Sequence, residues 1–212
     1  MKSILFDLDG TLTDSGEGIM NSAVYALSHF GIDAPPKEQL RTIVGPPLTE
    51  SFIRFGVPQD RAEEAIQIYR SRYLPTGIYE NSPYPGIYQL LEQLRTDGHK
   101  LYVATSKPEW IALKVLNHFD LAKYFDTICG ADSDTSRNSK AAVIEHLLEK
   151  CGAQENPIMV GDTAYDVIGA KTHNIPCIGV SWGYGLVKDM ENAGAFGIAH
   201  TMDELYRALS EE

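Results

Sequence analysis

The chain has 212 residues, of which 43% are apolar and 22% charged, with 18 basic and 29 acidic side chains for a formal charge of -11. This composition supports one packed domain with room for an insertion and excludes disordered and collagen-like chains. No apolar run nears the ~20 residues that span a bilayer, the first residues lack a signal-peptide pattern, and no Lys/Arg cluster offers a surface for a nucleic-acid polymer.

Cys129, Cys151 and Cys177 are widely spaced. They read as free thiols, so the expectation is a cytoplasmic protein with neither disulfides nor a zinc ribbon.

In chain order, residues 2–7 form a short apolar run that stops at a Gly10 turn, the mark of a buried strand. From Ser15 the period becomes helical, with Ile19, Ala23, Leu27 and Phe30 on one face and Gly31 as the stop. Further helices are predicted after Pro36, over Leu48–Phe55 and over Asp60–Tyr73. No strand is predicted between 15 and 81. Ile87 to Leu94 is a helix face closed by Gly98, and 101–105 is a strand. Then come a helix opened by Pro108, a strand over Phe125–Cys129, and a helix over Lys140–Lys150 capped by Ser139. A strand over 158–161, a helix over Asp166–His173, a strand over Cys177–Trp182 and a closing helix over Met202–Leu209 complete the series.

Strands alternating with helices predict an α/β fold with a doubly wound parallel sheet. The helical stretch interrupts it, so residues 1–14 and 82–212 read as the Rossmann-like core and 15–81 as an inserted helical cap. Asn81 to Gly86, rich in turn formers, reads as one hinge. The inserted stretch carries a net charge of -2 and the remainder -9.

Four short signals carry chemistry. Asp7-Leu8-Asp9-Gly10-Thr11 follows the first strand, where open parallel sheets place their ligands. Two carboxylates there would repel unless a divalent cation with oxygen ligands relieved them, and Gly10 allows a sharp turn whose amides can face an anion. Gly161-Asp162 follows another strand, with Asp166 four residues on; a helix-capping use of these aspartates is the plainer alternative. Thr105-Ser106-Lys107-Pro108 ends a strand and opens a helix, a place suited to phosphate or simply to capping. Lys140 begins a helix, where the macrodipole disfavours a cation unless it reaches into an anionic site.

Taken together, DxDGT, a strand-ending Thr, a Lys and GDxxxD resemble the motif set of haloacid dehalogenase superfamily phosphatases whose helical cap follows the first motif. The resemblance covers essentially the whole chain. Phe6 to Ser15 and Thr105 to Pro108 resemble the phosphoglycolate phosphatase-like branch, which includes 5′-nucleotidase-like members. That branch usually has Asn where this chain has Ser106.

The resemblance implies a magnesium-dependent hydrolase of small phosphorylated metabolites. Asp7 would be the nucleophile and Asp9 the general acid and base. Asp7, the Asp9 carbonyl and Asp162 would hold Mg2+, supported by Asp166. Thr105, Ser106, Lys140 and the Gly10-Thr11 turn would hold the phosphoryl group. In the cap, Gly45 lies in the stiff Val44–Leu48 turn that would close over the site. Arg41 and Arg54 flank it as candidates for a substrate carboxylate or second phosphate, or as solvated helix residues. Phe52, Phe55, Tyr69 and Tyr73 read as cap core rather than base-stacking groups.

Asp9 argues against a dehalogenase, and a single cap lysine, Lys37 beside two prolines, argues against phosphonate hydrolysis. A sugar phosphomutase of the β-phosphoglucomutase type and a non-catalytic phospho-ligand binder remain as alternatives. Monomer and homodimer are both open.

Overall fold

A computed structural model describes residues 1–132, 137–152 and 155–210. The apolar run Ser3–Phe6 forms β1, fully buried. The chain then leaves through β2 (Thr13–Asp14) into four helices: α1 (Gly16–His29), α2 (Lys37–Leu40), α3 (Leu48–Arg54) and α4 (Ala62–Tyr73). It returns through β3 (Ser82–Pro83), which pairs antiparallel with β2. The rest alternates: α5 (Ile87–Thr96), β4 (Lys100–Pro108), α6 (Glu109–His118), β5 (Thr127–Ala131), α7 (Lys140–Cys151), β6 (Pro157–Gly161), α8 (Ala164–Thr172) and β7 (Cys177–Val180). It ends with α9 (Val187–Ala193), β8 (Gly197–Ala199) and α10 (Met202–Ser210).

The main sheet has the order β5-β4-β1-β6-β7-β8, and every pairing in it is parallel. Both neighbours of β1 are therefore reached by crossovers, β4 on one side and β6 on the other. The strand order reverses at β1, and a crevice opens at the carboxyl ends of β4, β1 and β6.

Period two along β1 sorts its side chains. Ile4 and Phe6 pack with α5, α6 and α10 through Leu91, Val115 and Leu209. Leu5 faces Val143, Leu147 and Val167 of α7 and α8 on the other side. A run that is apolar at every position suits a strand covered on both faces, each buried aliphatic side chain contributing roughly 1.5–3 kcal/mol.

The inserted helices make their own packing. Phe52 meets Tyr69 edge-on at 6.2 Å between ring centroids, and Tyr69 stacks on Tyr73 at 5.2 Å. Gly18 of α1 approaches the Gly77 carbonyl so closely that a Cβ there has no room.

The sequence reading differs from the structure mainly in short elements. The two-residue β2–β3 pair lies where no strand was expected, and α9 and β8 were not predicted. β4 runs three residues beyond the predicted end, with a bulge between Thr105 and Pro108. No described helix is long and apolar enough to cross a membrane.

Candidate active site

The sheet order brings three strand ends to one place. Asp7 follows β1, Thr105 lies near the end of β4, and Asp162 follows β6. Lys140, the first residue of α7, enters from beside them. Ser139 caps that helix by accepting from the Ala142 amide at 3.2 Å, which fixes where Lys140 begins.

The Lys140 ammonium is 2.8 Å from Asp7 Oδ1, 2.8 Å from Asp166 Oδ1 and 2.9 Å from the Ala104 carbonyl to which it donates. Burial pulls the lysine's pKa down, but Asp166 and Asp7 more than offset this and hold it above its ordinary value. It is thus a fixed cation among carboxylates.

Asp7, Asp162 and Asp166 are all buried and bring carboxylate oxygens within 4.8 Å of one another. Burial, only partly offset by Lys140, pushes Asp7 up to about 6. Burial, with Asp166 and Asp7 nearby, pushes Asp162 well above the usual carboxylate range. Three buried carboxylates share one lysine. That donor set of hard oxygens with an excess of negative charge fits a small divalent cation.

The supporting contacts are local. Asp162 accepts from Thr11 Oγ1 at 3.3 Å and from the Tyr184 amide at 2.7 Å. Asp166 Oδ2 accepts from both the amide (3.0 Å) and the hydroxyl (2.9 Å) of Thr163, forming a capping box on α8. The capping alternative and the site placement hold together, because Asp166 caps with one oxygen and meets Lys140 with the other. Gly10 has φ +85°, and a Cβ there would run into the Asp162 carboxylate. After β7, Gly183 makes the same close approach to the Asp162 side chain, and Gly185 approaches the Asp162 backbone carbonyl. These two glycines escaped the sequence reading, although a loop of alternating glycines after a strand is a signal of close backbone approach.

The remaining predicted residues divide. Asp7, Asp9, Thr105, Ser106 and Gly45 line one cavity of about 240 Å³ between the sheet and the inserted helices. Gly45, at φ +105°, places the Val44–Leu48 turn against Thr163. The Gly10 amide donates to the Thr13 carbonyl and the Thr11 hydroxyl to Asp162, so both have protein partners here. Arg41 donates to the Gly183 carbonyl and lies over the Tyr184 ring, joining the helices to the core outside that cavity. Arg54 donates to Thr42 and rests on Phe55, and it too lies away from the cavity wall. Arg70 and Glu63 are the charged side chains that α4 contributes to the wall. Tyr69 and Tyr73 are buried among the inserted helices, and they also face the cavity.

Sequence reasoning passed over Lys107. Its side chain is only 6% exposed, and its ammonium donates to Asp9 Oδ1 at 2.9 Å and to Oδ2 at 2.8 Å. The signal was a lysine inside a strand-to-helix turn already singled out for its hydroxyls.

The fold and the site together define a phosphatase: an acidic centre, fixed cations and a strand-ending hydroxyl at the switch point of a parallel sheet. The chain belongs to the haloacid dehalogenase-like hydrolase family, whose family model matches residues 4–180. A 5′-nucleotidase of Pseudomonas aeruginosa is 45% identical over 86% of this chain and 84% of its own. The tyrosine-protein kinase PtkA of Mycobacterium tuberculosis is 43% identical over 97% of this chain and 72% of its own. The crystal structure of a predicted phosphatase from Clostridium acetobutylicum superposes with a TM-score of 0.94 at 42% identity, covering 98% of this chain and 97% of that one.

Proposed function

We propose that the protein is a magnesium-dependent phosphomonoesterase that works through an aspartyl phosphate on Asp7. The observation that carries this reading is the convergence of Asp7, Asp162, Asp166 and Lys140 beside Asp9 and Thr105 at one end of the sheet. Asp7, Asp162 and the Asp9 carbonyl would hold Mg2+, with Asp166 supporting them, and the metal would supply charge neutralisation and a template for the phosphoryl oxygens.

In the first step an Asp7 oxygen attacks phosphorus and the ester P–O bond breaks. The leaving oxygen takes the proton of Asp9, so an alcohol departs and Asp9 is left as carboxylate. In the second step water attacks phosphorus, its proton goes to Asp9, and inorganic phosphate and free Asp7 result. Lys140, Thr105 and Ser106 would hold the phosphoryl oxygens as charge develops on them.

Residues 15–81 would act as a cap that opens for entry and closes over the cavity, swinging on the β2–β3 pair. The cavity wall mixes apolar side chains with Arg70 and Glu63, and this supports a small organic phosphate. The 5′-nucleotidase likeness supports a nucleoside monophosphate, and the resemblance noted above supports phosphoglycolate beside it. The setting would be cytoplasmic.

The test is inorganic phosphate release, with Mg2+, from 5′-nucleotides, phosphoglycolate, sugar phosphates and an aryl phosphate. Sustained release that EDTA abolishes and that Asp7→Asn lowers at least about a thousandfold is expected. Transfer of phosphate to a sugar phosphate or to tyrosine, with little release, would overturn hydrolysis in favour of phosphotransfer.

A further inference from the structure

We propose that Lys107 is a positioning residue for Asp9: its ammonium, held under the Tyr73 ring of the inserted helices, fixes the carboxylate that serves the leaving group. This rests on Asp9 acting as the general acid.

The backbone explains why a lysine turns inward here. β4 pairs in register with β5 up to Thr105 opposite Gly130, then shifts so that Pro108 faces Ala131. Lys107 sits within that bulge, its amide donating to Thr105 Oγ1 at 3.3 Å. A bulge re-aims a side chain, and this one aims at the site. Gly130 makes room for it, since a Cβ at 130 would run into the Lys107 carbonyl.

The ammonium then meets two groups, the Asp9 carboxylate and the Tyr73 ring. It donates to both Asp9 oxygens, and among the described residues these are the hydrogen bonds that the Asp9 carboxylate receives. It lies 5.0 Å from the centroid of the Tyr73 ring, a cation–π distance. Tyr73 is itself 2% exposed and stacked on Tyr69. The two-pronged contact fixes the position and plane of the ionised Asp9, the form that takes the proton of water; when Asp9 carries the proton for the leaving group, that oxygen turns its O–H to the ester and the other keeps the ammonium. A misplaced acid loses rate because proton transfer needs hydrogen-bond reach of the leaving oxygen. Because Tyr73 belongs to α4, the arrangement is complete only when the helices are docked on the sheet.

The test compares kcat/KM, which reports formation of the phosphoenzyme, on two esters. An alkyl phosphate needs its leaving oxygen protonated, whereas p-nitrophenyl phosphate has a leaving group stable as an anion. Lys107→Met is expected to lose about a hundredfold on the alkyl ester and no more than about threefold on the aryl ester, within the usual range for general acid catalysis. Lys107→Gln, which keeps a polar end, serves if the Met variant does not fold. Asp9→Asn, measured beside them, is expected to show the same selectivity. Equal losses on both esters for the Lys107 variants, with a selective Asp9→Asn, would overturn the positioning role alone. Equal losses for Asp9→Asn would instead remove the general-acid reading beneath it.

Discussion

Asp7 concentrates the electrostatic problem of the site. Its folded pKa of about 6 lies above the ~3.9 of an unfolded aspartate, because burial outweighs the pull of Lys140. Between about pH 6 and pH 4 the folded state therefore holds a proton that the unfolded chain has released. Stability contributed by this group rises as pH falls through that window, and near pH 7 the buried charge is a cost. Without metal, Asp7→Asn should thus be more stable than the parent at pH 7, by on the order of 2 kcal/mol, with the gap closing towards pH 4. Denaturant unfolding of both proteins across that range checks it, and a constant gap would contradict the assignment.

At the scale of elements, glycines at positive φ separate backbone strain from crowding. Gly10 at φ +85° and Gly31 at φ +66° both adopt a conformation that costs an L-residue roughly 1–2 kcal/mol. Nothing lies within 4 Å of a Cβ at Gly31, whereas at Gly10 it would displace the Asp162 carboxylate. Both Gly31→Ala and Gly10→Ala should lower the melting temperature, and only Gly10→Ala should also weaken Mg2+ binding. Thermal melts with and without Mg2+ separate the two. The same scale shows what the chain made legible. The long periodic segments α1, α4, α5 and α7, and the apolar runs β1, β4, β6 and β7, stand where their patterns put them. β2, β3 and β8 have two or three residues each, too few for any period, and β3 includes Pro83. They exist because the chain must leave, re-enter and edge a sheet already formed.

At the scale of the whole molecule, the inserted helices reach the core through more than their two connections. The Tyr184 hydroxyl accepts from the Gly16 amide at 2.6 Å and donates to Asp14, and Arg41 binds the Gly183 carbonyl. At the foot of the insertion, within the core, Tyr84 lies beside Trp182, whose indole donates to the Thr11 carbonyl at 3.2 Å. Arg41→Ala should therefore speed amide exchange across α1–α4 while leaving β1, β4 and β6 protected. Exchange measured by mass spectrometry decides this. Uniform acceleration would mean that the helices and the sheet open as one unit.

The sequence by itself determined the alternation of strands and helices, and it marked the strand ends and helix starts beside which Asp7, Asp9, Thr105, Lys140, Asp162 and Asp166 lie. It did so because strand ends, caps and apolar periods are local and leave local traces. Only the tertiary structure decided that Lys107 faces Asp9, that Arg41 and Arg54 turn from the cavity, and that Gly183 and Gly185 crowd Asp162. Those outcomes depend on where distant segments meet. A bulge, a crossover or a packed ring sets each of them, and none of these is written in the residues on either side.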